Sequence, residues 1–172
     1  MAFRILKPFA LCDSPCDGGW RNRGVDRIWQ QEERVDERTW CMIIDKTILD
    51  DLTKRAQESP RLRMNMDLRN SSDDQFQRML NALEPGTVMP IHRHKGSSET
   101  CICIRGHFEE YFYDEHGNLT ATIDMLPGGT VLNIEKGQWH SLRCLESGTV
   151  LFESKDGAYA PLEEDEVMEW NK

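Results

Sequence analysis

Two histidines and a glutamate lie at a spacing that suits metal coordination. His92 and His94 are two residues apart, and residues with this separation project from the same face of an extended strand. Residues 95–98 form a turn, after which Glu99 opens the next apolar run. Imidazole nitrogens and a carboxylate together suit a divalent first-row metal. The segment therefore predicts part of a metal site.

A third histidine, His140, follows a second segment that starts at Gly129. Any one of these histidines, taken alone, is more simply explained as a surface or core-edge residue. The set is better explained by metal binding, because ligand types and spacing agree. We therefore predict that His92, His94, Glu99 and His140 hold one divalent ion. Fe, Mn, Zn and Ni all suit this ligand set, which leaves open coordination positions for chemistry.

Both segments resemble the two sequence motifs of the cupin family. The first fits G-x5-HxH-x4-E-x6-G from Gly86 to Gly106 at every defined position. The second fits G-x5-P-x-G-x2-H-x3-N, except that Glu135 replaces the proline and Cys144 replaces the asparagine. The chain is further similar to WbuC-type cupin metalloproteins, over about residues 42 to 170. That similarity is carried by residues 59–65, 77–81 and 156–159.

Two classes of function are open, and the first is a small metal-dependent enzyme similar to WbuC-type proteins. Because WbuC genes occur among those for surface-polysaccharide synthesis, this resemblance implies a sugar or nucleotide-sugar substrate. The ligand set permits isomerisation or epimerisation, hydrolysis, and oxygenation by an Fe(II)-dependent dioxygenase. The alternative is a non-catalytic, regulatory module that binds a metal or a small ligand.

Polar residues near the motifs are candidates for substrate binding. Arg63 and Asn65 lie on one predicted strand and Arg78 and Asn81 on the next, whereas Tyr159 lies in a turn. Such side chains bind an anionic or hydroxylated substrate if they face the barrel interior. Alternation places Arg78 and Asn81 on opposite faces, so at most one of them points inward. Solvent exposure or an inter-strand hydrogen bond is the competing explanation for each. The acid–base candidates are Glu109, Glu153 and Tyr159.

The elements that must position these residues are short strands separated by turns. A helix is predicted first, because an apolar stripe that includes Leu52 and Ala56 follows the favourable N-cap residue Asp45. Evenly spaced short strands then predict a barrel or sandwich, and we expect an all-β fold, a single cupin double-stranded β-helix or jelly roll. A short C-terminal helix should pack through Val167 and Trp170. The predicted strands are 62–68, 77–83, 88–94, 100–104, 107–113, 119–125, 130–134, 140–145 and 149–154, and the C-terminal helix is 163–170.

The cysteines favour core packing over chemistry. Cys101 and Cys103 share one face of a predicted strand, which sets them badly for a mutual disulfide. Free cysteine is common as a small buried apolar residue, so we expect these two and Cys144 to fill the core.

Length and charge limit the classes of partner. The 172 residues suffice for one domain with a substantial core, and the formal net charge is −9. An acidic surface repels phosphate backbones and anionic lipids, so we expect neither nucleic acid nor membrane as a partner. A small-molecule ligand is expected instead, and a homodimer is compatible with the sequence. The sequence lacks a transmembrane run, and we expect a cytoplasmic protein.

The first 41 residues differ from the rest. Residues 1–41 have no sustained period, and the family-like pattern begins only at Met42. We therefore expect residues 1–41 to be a weakly ordered or non-native extension, and residues 42–172 to form the cupin domain. Trp20, Trp29 and Trp40 argue against a fully disordered extension, because tryptophan is unusual in such segments.

Overall fold

The computed structural model describes residues 42–168. Expectations about residues 1–41 and about Trp170 lie outside the described residues. The compact unit that contains the barrel begins at Lys46.

One helix precedes the strands, as predicted. It is α1, Lys46–Glu58. Its buried residues Leu52 and Ala56 pack against Leu80 and Val150 of the neighbouring sheet. Burial of this apolar stripe places the helix on the outer face of that sheet.

In the part of the chain that the structure describes, eight strands form two antiparallel sheets. The larger sheet has the order β1-β2-β8-β3-β6, and the smaller has the order β5-β4-β7. This arrangement confirms the predicted fold, a single jelly-roll domain of the double-stranded β-helix type. The strands are β1 (Arg63–Asp67), β2 (Phe76–Leu83), β3 (Glu99–Arg105), β4 (Phe108–Tyr113), β5 (Leu119–Met125), β6 (Val131–Ile134), β7 (Trp139–Cys144) and β8 (Thr149–Asp156).

The segment that carries the first two histidines is not the regular strand predicted over residues 88–94. Only His92 forms ladder bridges, to His140 on one side and to Val167 on the other. Pro90 explains the interruption, because proline has no amide hydrogen to donate to a ladder. The chain therefore passes beside β7 as an extended connection.

The predicted C-terminal helix is a single 3₁₀ turn, Glu164–Glu166. Glu163 and Glu166 form a capping box around this turn. The turn ends at once because Val167 takes an extended conformation and bridges to His92. Across residues 42–168, none of the helices has the length and apolar character required to cross a membrane.

The barrel core lies between the two sheets. Cys101, Cys103 and Cys144 are free and buried in it, as predicted. Burial raises the pKa of the Cys103 thiol to about 11, so this side chain behaves as an apolar group at neutral pH. The core residues are Leu83, Cys101, Cys103, Phe108, Met125, Cys144 and Leu151.

Candidate metal centre

Three imidazoles converge at one end of the barrel. One ring nitrogen from each of His92, His94 and His140 lies within 4.8 Å of the other two. The ring centroids are separated by 5.0 Å for His92 and His94, by 4.3 Å for His92 and His140, and by 5.7 Å for His94 and His140. The three side chains could hold one metal ion.

Backbone carbonyls orient two of these rings. Nδ1 of His92 lies 3.1 Å from the carbonyl oxygen of Pro90, and Nδ1 of His140 lies 3.0 Å from that of Gln138. A carbonyl only accepts hydrogen bonds, so Nδ1 must carry the proton in each ring. The Nε2 lone pairs are then free to coordinate a metal, as is common where an outer partner fixes the tautomer.

Glu99 completes the cluster from β3. Its Oε2 lies 3.4 Å from Nε2 of His94 and 3.7 Å from Nε2 of His140. Within residues 42–168, neither Oε2 of Glu99 nor Nε2 of His94 makes a well-oriented hydrogen bond, although both atoms are buried. Buried polar atoms that lack well-oriented hydrogen bonds are costly, and a cation between these two atoms would satisfy both. The donor set therefore fits a divalent metal.

The charge states of these groups also suit a metal. Burial, with smaller contributions from His140 and His94, lowers the pKa of His92 to about 3. Burial alone would favour a neutral Glu99, but the adjacent rings of His140 and His94 and the charge of Lys155 hold its pKa well below its usual range. Neutral imidazole and ionised carboxylate are the forms that bind metals.

A buried lysine stands beside Glu99, and the sequence analysis missed it. Nζ of Lys155 lies 3.2 Å from Oε2 of Glu99 and 2.8 Å from Oε1 of Glu153. Nδ2 of Asn81 donates to Oε2 of Glu153 at 3.0 Å. Alternation along β8, which places Leu151, Glu153 and Lys155 on one face, was the available signal.

A second missed residue is Glu110 on β4, which is only 2% exposed. Burial and the nearby charges of Glu99 and Glu153 raise the pKa of Glu110 well above its usual range, with Lys155 acting in the opposite direction. Alternation with the buried Phe108 could have indicated that Glu110 faces inward. The barrel interior thus holds three carboxyl groups and one ammonium.

Two cavities adjoin the cluster. The first has a volume of about 260 Å³ and is lined by Asn65 and Asn81 among others. The second has a volume of about 360 Å³ and is lined by Tyr159. These three predicted substrate residues thus lie in positions from which they could contact a ligand near the histidines.

Arg78, another predicted substrate residue, lines neither cavity. It lies on the opposite face of β2 from Asn81, as the alternation predicted, and its Nη2 pairs with Asp74 at 3.2 Å. Of the acid–base candidates, Glu153 lines the first cavity. Glu109 lines neither cavity and accepts a hydrogen bond from Tyr111.

Glu166 holds the histidine-bearing segment from the C-terminal side, a contact that the sequence did not reveal. The backbone N–H of Lys95 donates to its Oε1 at 2.8 Å, and the backbone N–H of Arg93 donates to its carbonyl oxygen at 3.0 Å. These bonds fix the backbone on both sides of His94. The C-terminal segment therefore helps to position the cluster.

Comparison with known proteins gives one family model and several similar structures. The model, described as "Domain of unknown function (DUF6016)", matches residues 44–125, which include His92, His94 and Glu99 but not His140. A search of curated proteins gives no match.

The similar structures include KdgF from Halomonas sp., with 15% identity over 59% of this chain and 84% of that chain and a TM-score of 0.48. The Schizosaccharomyces pombe Cnp3 cupin domain has 14% identity over 55% of this chain and 64% of that one, with a TM-score of 0.46. Bacillus subtilis oxalate decarboxylase, described with Mn(II) centres, has 21% identity over 63% of this chain and 28% of that one, with a TM-score of 0.46. The match spans less than two thirds of the last two proteins.

The chain has the cupin fold. Its two antiparallel sheets and the convergence of the motif histidines agree with the cupin resemblance of the sequence motifs. The identities are too low to transfer any substrate, so we base the chemistry on this chain's own residues. The finer WbuC-type resemblance stays a prediction.

Proposed function

We propose that the protein binds one divalent metal ion through His92, His94, His140 and Glu99 and acts as a small metal-dependent enzyme on a sugar-derived molecule. The observation that carries the proposal is the convergence of three imidazoles on a buried carboxylate whose Oε2 has no well-oriented hydrogen bond within residues 42–168. A bound divalent ion would act there as a Lewis acid toward a substrate oxygen.

The surroundings favour a polar substrate. Both cavities reach the cluster through His92 and Lys155. Amide side chains of Asn65 and Asn81 on the wall of the first cavity offer donors and acceptors to hydroxyl groups. This lining supports a sugar-derived substrate, as the WbuC resemblance implies. A sugar derivative from surface-polysaccharide synthesis is one such substrate.

Glu153 supports an enzyme over a simple binding module. Burial and the charge of Glu99 raise its pKa, although Lys155 acts in the opposite direction. A buried carboxyl group beside the ammonium of Lys155 can exchange a proton with a substrate, and Glu153 stands on the cavity wall where a substrate would lie. We therefore assign proton transfer to the Glu153 carboxyl.

Metal content tests the first part of the proposal. Elemental analysis of the purified protein should find about one divalent metal ion per chain. His94→Ala and His140→Ala should each lose stoichiometric metal, because a site with one ligand fewer binds weakly. His116→Ala, in an exposed turn, is the matched control and should keep full occupancy. Full occupancy in both site variants would refute the proposed centre.

A metabolite screen with the metal-loaded protein tests the second part. Turnover of a sugar or sugar derivative should depend on the metal and should fall by about 10²-fold or more in Glu153→Gln, if Glu153 transfers a proton in the slow step. Metal content should be unchanged in that variant. A protein that binds metal but turns over no compound in the screen would be a binding module.

A further inference from the structure

Arg63 is a partly buried cation that has no acidic partner among the described residues. It stands at the start of β1 and lines the first cavity together with His92 and Glu99. Its Nη1 donates to Sδ of Met89 at 3.1 Å, and thioether sulfur is a weak acceptor. Within residues 42–168, no carboxylate forms an ion pair with Arg63. The neighbouring charge that affects its pKa is that of Arg61, which is also positive.

Two other cations of the barrel are paired. Lys155, which lines the same cavity, contacts both Glu99 and Glu153. Arg105 pairs with Asp50. Burial of a guanidinium without a partner costs free energy, and burial together with Arg61 lowers the pKa of Arg63. An unpaired guanidinium that faces a cavity is therefore suited to a ligand's anionic group.

We propose that the first cavity binds a small molecule that carries a carboxylate, with Arg63 holding the carboxylate and the rest of the molecule extending toward the histidine cluster. The orientation toward the cluster rests on the proposed metal function. Arginine presents a planar fork of N–H donors that matches a carboxylate with two parallel hydrogen bonds. Arg61, on the same cavity wall, adds positive charge at this end.

The remaining lining fits a hydroxylated body between the two ends. Asn65 on β1 lies opposite Asn81 on β2 in the strand register, and both line the cavity between the arginine and the cluster residues. Met79 and Met89 supply apolar wall. The volume of about 260 Å³ lies below the usual range of roughly 300–1,000 Å³ for small-molecule pockets, so a monosaccharide-sized acid fits better than a nucleotide-sugar.

Three ligands with the same sugar ring test the proposal. D-Glucuronate, D-glucose and D-glucose 6-phosphate are titrated calorimetrically into the zinc-loaded protein. We expect glucuronate to bind about tenfold or more tightly than glucose, as one charge-assisted pair requires. Arg63→Gln should remove that preference, and Arg63→Lys should keep part of it because the charge remains without the fork.

Arg78→Gln is the matched control. Arg78 lies on the neighbouring strand but on the other face, outside the cavity, so its replacement should leave the preference for glucuronate unchanged. If Arg63→Gln does not fold, the preference of the unaltered protein and the Arg63→Lys result decide the question.

Several results would overturn the proposal. These are equal affinity for glucuronate and glucose, no binding of glucuronate at millimolar concentration, and an unchanged preference in Arg63→Gln. Tighter binding of glucose 6-phosphate than of glucuronate would also reject a carboxylate and assign a phosphate.

The same titrations on chelator-treated protein separate this inference from the metal proposal. Arg63 is not one of the proposed metal ligands. The preference for glucuronate that depends on Arg63 should therefore persist in the metal-free protein, although glucuronate should bind more weakly. If no metal binds but this preference is found, only the metal proposal fails. If metal binds stoichiometrically and no preference is found, only the carboxylate proposal fails.

Discussion

His92 and His140 exchange both of their backbone hydrogen bonds: His92 N–H donates to the His140 carbonyl at 2.9 Å, and His140 N–H donates to the His92 carbonyl at 2.8 Å. Directly opposite residues of an antiparallel pair keep their side chains side by side. The reciprocal bonds therefore hold two imidazoles together before any ion binds. The candidate centre is largely preorganised by the main chain.

Removal of the Glu166 side chain should weaken metal binding. In Glu166→Ala the Lys95 amide loses its acceptor, so the backbone beside His94 becomes less ordered. We expect the metal dissociation constant to rise by about tenfold. This is the lower end of the change expected when a residue that supports a metal ligand is removed. Competition with a chromophoric chelator measures this. Glu164→Ala, an exposed residue of the same 3₁₀ turn, is the control, and equal affinity in both variants would contradict the prediction.

Glu110 should make the metal-free protein less stable as pH rises. Its folded-state pKa is raised by burial and by the Glu99 and Glu153 charges, against the effect of Lys155. The folded state therefore binds more protons than the unfolded state between the usual carboxyl pKa and the raised value, and stability falls as pH rises through that window. Glu110→Gln should remove this pH-dependent loss of stability. It should raise the free energy of unfolding at pH 8 by on the order of 1–3 kcal/mol.

Denaturant unfolding at a series of pH values in the presence of chelator measures the effect. Glu109→Gln is the control, because Glu109 lies on the opposite face of β4 and lines neither cavity. A pH dependence that is identical in Glu110→Gln and in the unaltered protein would reject the prediction.

Arg105 should be needed to fasten α1 to the barrel. Its Nη1 contacts Oδ1 of Asp50 at 2.7 Å, its Nη2 donates to the Leu49 carbonyl at 2.9 Å, and its Nε donates to the Gly148 carbonyl at 2.9 Å. Lysine cannot reach three separated acceptors at once, so Arg105→Lys should cost on the order of 2 kcal/mol.

Thermal unfolding should then show a midpoint lower by roughly 5 °C for a domain of this size. Arg55→Lys is the matched control, because Arg55 makes only an exposed pair with Asp51 at 3.9 Å. A midpoint for Arg105→Lys that equals that of the control would show that the helix is held by apolar packing alone.

Residues 1–41 should be dispensable for the fold and for metal binding. The family-like sequence pattern begins at Met42, so chains that start at Met1 and at Met42 should have thermal midpoints within a few degrees of each other. Their metal contents should be equal by elemental analysis. A drop of tens of degrees, or insolubility of the shorter chain, would mean that one of Trp20, Trp29 and Trp40 belongs to the core.

Local pattern was sufficient for much of the fold. Alternation in β1 and the apolar stripe of α1 are properties of neighbouring residues, and both predictions match the structure. Pro90 produced the main error in the strands, because the apolar run around it resembles a strand while its missing amide hydrogen interrupts the ladder. The ladder partners of His92 come from distant parts of the chain, and local pattern does not identify them.

The charged interior was harder to predict than the histidines. His92 and His94 share a short motif, whereas Glu110 and Lys155 become neighbours of Glu99 only after three strands assemble. Alternation indicated the face of each residue but not which side chains from other strands lie beside it. The unpaired state of Arg63 was likewise hidden, because it depends on which side chains surround the first cavity.

The position of His92 between two cavities gives the cluster two approaches. His92 and Lys155 line both spaces, so a change at either residue alters both cavities. A molecule seated in the first cavity would leave the second open as a separate route for water or for a second reactant. Substitutions at residues that line only one cavity, such as Asn65 or Tyr159, would then test each approach separately.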